Sequence, residues 1–120
     1  MNEVIKCLVE RRSCKKYLPR QEDEAALQEV LLAGTYAPSG KNRQAAKILV
    51  VQKPEDVAAL QRLNAAVLGN PEGKPFYGAP TVLVVLADAE VNTAVEDGSV
   101  VMENLMIAAH SLGLGSCWVH

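Results

Sequence analysis

Five cations fall within ten residues near the start of the chain: Arg11, Arg12, Lys15, Lys16 and Arg20, with Ser13 among them. Guanidinium groups present forked donors that match phosphate oxygens, and a nearby hydroxyl adds another partner. Each charge-assisted hydrogen bond of this kind contributes about 1.5–3 kcal/mol. The same cluster also fits a solvated basic patch at a helix C-terminus, where cations suit the dipole. A second group is Ala37-Pro38-Ser39-Gly40-Lys41-Asn42-Arg43-Gln44. Its short polar side chains and glycine let backbone amides approach a ring edge or a phosphate, although such residues also simply mark a loop. A third is Leu112-Gly113-Leu114-Gly115-Ser116-Cys117-Trp118. It is not a GxGxxG fingerprint, and it follows a helix instead of a strand, so it does not indicate a dinucleotide-binding turn. It reads either as the tight return of a helix to a sheet or as small residues leaving room for a flat cofactor. Asp97 and Glu103 lie six residues apart on different helix faces and form no catalytic pair. His110 reads as an ordinary helix histidine. Cys14 has activating basic neighbours but no partner His or Asn, so it is not assigned as a nucleophile.

The elements that must position these groups follow from periodicity. Asn2 is an N-cap for a short helix over 3–12 carrying Val4, Ile5, Leu8 and Val9 at helical spacing. Pro19 breaks the chain, and a second helix starts near Glu22 with acids in its first turn and Leu27, Val30, Leu31 and Gly34 on one face. Ile48–Val51 reads as a strand buried on both faces. Pro54 opens a third helix with Val57, Leu60, Leu63 and Val67 inward. Gly69–Pro75 is a loop, and Thr81–Ala87 is a second buried strand. Thr93–Leu112 reads as an almost wholly buried helix, closed by Gly113. Ser116–His120 begins a third strand. The class is α/β or α+β, with helices covering a small sheet in one domain over 1–120. The sequence stops at Trp118-Val119-His120 inside that strand, which suggests a fragment or a fold completed by another copy.

Composition excludes several classes. Of the 120 residues 49% are hydrophobic and 22% charged, the usage of a globular domain. Aromatics at 4% are too few for base stacking, and a net charge of −2 gives no pull towards nucleic acid or acidic membranes. Three cysteines without a Cys-x-x-Cys argue against a disulfide framework and for a reducing cytoplasm. Two histidines without ligand spacing argue against a metal site. No apolar run reaches the length of a membrane span, and no signal peptide opens the chain.

In order, Arg11-Arg12-Ser13-x-Lys15-x-Tyr17, Ala37-Pro38-Ser39-Gly40-x-Asn42-x-Gln44, Phe76-Tyr77-Gly78-Ala79-Pro80, Asp97-Gly98 and Ala108-Ala109-His110-x-Leu112-Gly113-Leu114-Gly115-Ser116-Cys117-Trp118 resemble the nitroreductase family over essentially the whole chain. The resemblance implies an α+β fold, here incomplete at its C-terminus. It also implies a homodimer with FMN at the subunit interface. By that analogy Arg11, Arg12, Ser13 and Lys15, with Cys14 in the same segment, hold the phosphate, ribityl chain and pyrimidine edge. Lys15 stands where the family usually has Arg, which turns a forked contact into a point charge. Pro38, Ser39, Gly40 and Asn42 match the segment that a partner subunit lays on the flavin. Asn64 corresponds to an Asn at the pyrimidine. Trp118, Val119 and His120 match the stretch that passes flavin N5. The implied activity is ping-pong transfer of electrons from NADH or NADPH, through FMN, to a small oxidised molecule such as a nitroaromatic or quinone. The alternatives are a non-catalytic flavin- or phosphate-binding module of the same fold, and an inactive fragment.

Overall fold

The computed structural model describes residues 1–120. Helix α1 spans Glu3–Glu10, and Asn2 caps it as its position predicts, its Oδ1 accepting from the Ile5 amide at 3.0 Å. The helix is two residues shorter than its apolar spacing suggests, because Arg11 leaves helical geometry at φ −56°, ψ 138°. Helix α2 (Glu24–Thr35) follows, then a single 3₁₀ turn at Gly40–Asn42 and strand β1 (Ala46–Val51). Helix α3 (Pro54–Val67) leads to strand β2 (Val82–Ala87), and helix α4 (Ala94–Ser111) completes the order. β1 and β2 pair antiparallel from Ala46 opposite Ala87 to Val51 opposite Val82. The architecture is α+β: four helices around a two-stranded sheet.

The core forms where α4 crosses α2 and the sheet. Val30 from α2 meets Val101, Leu105 and Ala109 from α4, with Ile48, Leu83 and Val85 packed against them from the strands. Gly34 permits this crossing, since a Cβ there would lie 2.6 Å from a Leu105 methyl and 2.8 Å from an Ile48 methyl. No helix is long and apolar enough to cross a membrane.

Several apolar faces differ from their sequence reading. β1 is not buried on both faces, because Leu49 and Val50 are exposed, and Leu86 of β2 is exposed too. The core covers the ribbon only in part, at Ala46, Ile48, Leu83 and Val85. In α3, Val57 and Leu60 are half-buried as expected, but Leu63 and Val67 are 65% and 83% exposed, and Ala65 is the fully buried residue. α4 is half covered, burying Asp97, Val101, Leu105, Met106 and Ala109 while Val95 and Glu103 face outward. The stretch from Ser116 onward makes one parallel bridge, Ser13 to Ser116, and no third strand. α1 buries none of its residues, and its stripe of Val4, Ile5, Leu8 and Val9 is exposed.

Candidate functional site

The basic segment after α1 is fixed by the turn after α4. That helix ends in paired bonds: the Leu114 amide donates to the Ala109 carbonyl at 2.8 Å, and the Gly113 amide to that of His110 at 3.0 Å. Gly113 takes φ +78°, the left-handed conformation such an ending requires. The chain then runs beside residues 13–14, where the Cys14 amide donates to the Ser116 carbonyl at 2.8 Å. The approach is close enough that a Cβ on Gly115 would sit 2.8 Å from Cys14 Sγ. Glycine at 115 is therefore a requirement of the site's backbone.

The two arginines behave differently. Arg12 Nη1 donates to the carbonyls of Val9 at 2.7 Å and Arg11 at 2.8 Å, satisfying the C-terminal end of α1. Arg11 Nη1 is buried and has no hydrogen-bond partner. A buried cationic donor without an acceptor is costly, and an anion with free oxygens relieves it. Lys15 Nζ lies 5.6 Å from the centre of the Tyr77 ring, and Tyr77 itself has φ +53°. This pairing ties the basic segment to the Phe76–Pro80 stretch.

Cys14, Asn64, Trp118, Val119 and His120 line one cavity of about 1060 Å³, together with Tyr17. That volume is ample for a cofactor-sized ligand. The Tyr17 hydroxyl donates to the Cys14 carbonyl. Burial first, then the neighbouring thiols of Cys14 and Cys117 and the Tyr77 phenol, raise its pKa from 10.0 to about 12. The folded chain thus holds this proton more tightly than the unfolded one. The associated stability is complete below pH 10 and disappears as pH rises through about 12. In a tyrosinate absorbance titration, one of the three tyrosines is expected to ionise late, and that late step should vanish in Tyr17→Phe. A single shared transition near pH 10 would contradict the assignment.

The Pro38–Gln44 loop is anchored elsewhere, on the first turn of α4. The Gly40 amide donates to Asp97 Oδ1 at 3.0 Å, and Thr93 Oγ1 donates to Asp97 Oδ2 at 3.0 Å. The Gln44 amide donates to Ser39 Oγ at 3.0 Å. Lys41, Asn42 and Gln44 all have φ near +53°, a conformation costly for residues with side chains. A Cβ on Gly40 would collide with Thr93. None of Pro38, Ser39, Gly40 or Asn42 lines the large cavity. The sequence-predicted residues therefore form two groups: one around the cavity and the basic segment, the other at the start of α4. Asp97, only 3% exposed, is the residue that sequence reasoning missed as an anchor. The adjacent Gly98 was its one visible signal.

The chain is thus an α+β fold with a large cavity and, outside the lining of that cavity, a half-buried Arg11 whose Nη1 has no partner. The sequence profile of the nitroreductase family matches residues 8–120, and the chain belongs to that family. A Methanothermobacter thermautotrophicus protein, provisionally named NADH dehydrogenase/NAD(P)H nitroreductase, is 28% identical over 97% of this chain. A Bacillus subtilis protein named FMN reductase [NAD(P)H] is 27% identical over 97% of this chain. The chain spans 60% and 53% of the lengths of these two relatives. The crystal structure of a Bacteroides fragilis nitroreductase with bound FMN superposes with a TM-score of 0.91 at 27% identity, covering 99% of this chain and 70% of that one.

Proposed function

We propose that the chain is the greater part of an FMN-dependent oxidoreductase that takes electrons from NADH or NADPH and passes them to a small oxidised acceptor, such as a nitroaromatic or a quinone. The observation that supports this reading is the buried, unpartnered Nη1 of Arg11, a cationic donor of the kind that the FMN phosphate would take. Bound FMN supplies the redox chemistry itself, accepting two electrons from the nicotinamide and releasing them to the second substrate. The protein's part is to bind and to orient. Arg11 and the Ser13 hydroxyl hold the phosphate, with Lys15 as a point charge nearby. The backbone of Trp118, Val119 and His120 borders the ring, and Asn64 faces the same cavity. The absence of an acid–base pair is consistent with this division of labour.

The reading includes a homodimer. Pro38, Ser39, Gly40 and Asn42 are held at the start of α4, away from the cavity lining of their own chain, so a second copy would bring them to the flavin. The exposed apolar stripe of α1 gives such a copy a surface to cover. Three free thiols support a reducing, cytoplasmic setting.

A visible absorption spectrum of the purified protein tests binding, with a flavin band and release of FMN on denaturation expected. Anaerobic addition of NADH or NADPH is expected to bleach that band. Tightly held flavin that neither nucleotide bleaches would establish a non-catalytic flavin-binding module instead.

A further inference from the structure

Two of the three cysteines meet where the basic segment runs beside the turn after α4. The parallel bridge joins Ser13 to Ser116, so Cys14 and Cys117 are the next residues in step along the two segments. Paired strands lie about 4.8 Å apart, inside the Cα separation that a disulfide spans. The Cys14 side chain packs over Gly115, two residues before Cys117 in the facing segment, and its Sγ donates to the Lys16 carbonyl at 3.2 Å, a weak bond that a rotation of the side chain towards Cys117 gives up. Both cysteines are half-buried and both line the large cavity, so a small oxidant has a route to them. Both thiols also lie near enough to the Tyr17 phenol to act on it electrostatically. Cys7, on α1, lines neither that cavity nor the bridge.

We propose that Cys14 and Cys117 form a reversible oxidation site, a thiol pair that hydrogen peroxide closes into a disulfide. One thiolate attacks a peroxide oxygen and the O–O bond breaks, leaving a sulfenic acid and one water. The second thiol attacks that sulfur, the S–S bond forms, and the hydroxyl leaves with a proton as a second water. Two thiols give up two electrons in all, and one peroxide becomes two waters. A dithiol reductant reverses the step. The bond would lock the Ser13 segment to the Ser116 segment by a covalent link as well as by the single backbone bridge. This inference rests on the pairing of the two segments and not on the flavin reading, and it holds or fails separately.

The test treats the native protein with hydrogen peroxide, denatures it, alkylates free thiols and maps the peptides. The expected product carries one label, on Cys7, with Cys14 and Cys117 in a single cross-linked peptide that dithiothreitol releases. The native chain should close this bond at least roughly tenfold faster than the chain unfolded in urea, where the two cysteines must meet across a long loop. Cys14→Ser and Cys117→Ser should each form no intramolecular bridge and should instead leave a sulfenic acid that dimedone traps. Three labels after peroxide treatment, a bridge to Cys7, or equal rates in the native and unfolded chains would each overturn the proposal.

Discussion

Arg11→Ala is expected to weaken FMN binding roughly tenfold to a hundredfold, the effect of losing one charge-assisted contact of about 1.5–3 kcal/mol. The expectation follows from asymmetry within the pair. Arg11 has a buried nitrogen with nothing to donate to, whereas Arg12 is already engaged with the carbonyls of Val9 and Arg11. Arg12→Ala should therefore cost less flavin affinity and act mainly by loosening the end of α1. The double variant should bind little worse than Arg11→Ala alone. Arg11→Lys keeps the charge but loses the fork, and its affinity should fall between that of the wild type and that of the alanine variant. Flavin fluorescence titration reads the wild type and all four variants. An unchanged dissociation constant for Arg11→Ala would remove the phosphate role from this residue.

Leu105→Ala should destabilise the fold by about 2–5 kcal/mol, the usual range for truncating a buried leucine. Leu105 is 3% exposed and sits where α4 meets Gly34 of α2 and Ile48 of β1. Neither neighbour can easily close the space, because both belong to elements fixed by their own hydrogen bonds. Leu63→Ala is the matched comparison. With 65% of its surface in solvent, it should change stability by no more than about 0.5 kcal/mol. Urea titrations of both variants check this, with the midpoint moving for Leu105→Ala alone and the slope unchanged. A loss at Leu63 equal to that at Leu105 would show α3 packed by the face that the structure leaves open.

That pair of leucines also shows where the sequence could be read and where it could not. Helix α3 carries Val57, Leu60, Leu63 and Val67 at helical spacing, and spacing alone makes that stripe the inward one. The fully buried residue is Ala65, small enough for close approach, and periodicity gives an alanine little weight. The strands misled for a related reason. An apolar run such as Ile48–Val51 is legible as a strand, but whether one side or two will be covered depends on what else packs there. Signals that rest on local backbone chemistry carried through well. Asn2 accepts from the Ile5 amide, Pro54 opens α3, and Gly113 ends α4 in the left-handed region. At the candidate site, the basic segment and the Gly113–Trp118 turn were visible as separate clusters, and the fold places them side by side through Ser13 and Ser116. Asp97 was visible as part of the Asp97-Gly98 motif, without a role. Its role, holding the Gly40 amide, belongs to contacts 57 residues apart in the chain, which no local pattern encodes.

The left-handed residues of the Pro38–Gln44 loop have a consequence for recognition. Lys41, Asn42 and Gln44 hold their conformation through Asp97 and Ser39, in bonds made within this chain. Their freedom is lost during folding, so a surface that meets the loop finds its backbone already set, with the amides of Gly40, Asn42, Arg43 and Gln44 engaged inside the chain. Association then involves little further loss of backbone entropy at this segment. The fit is that of a cast mould and not of a closing hand.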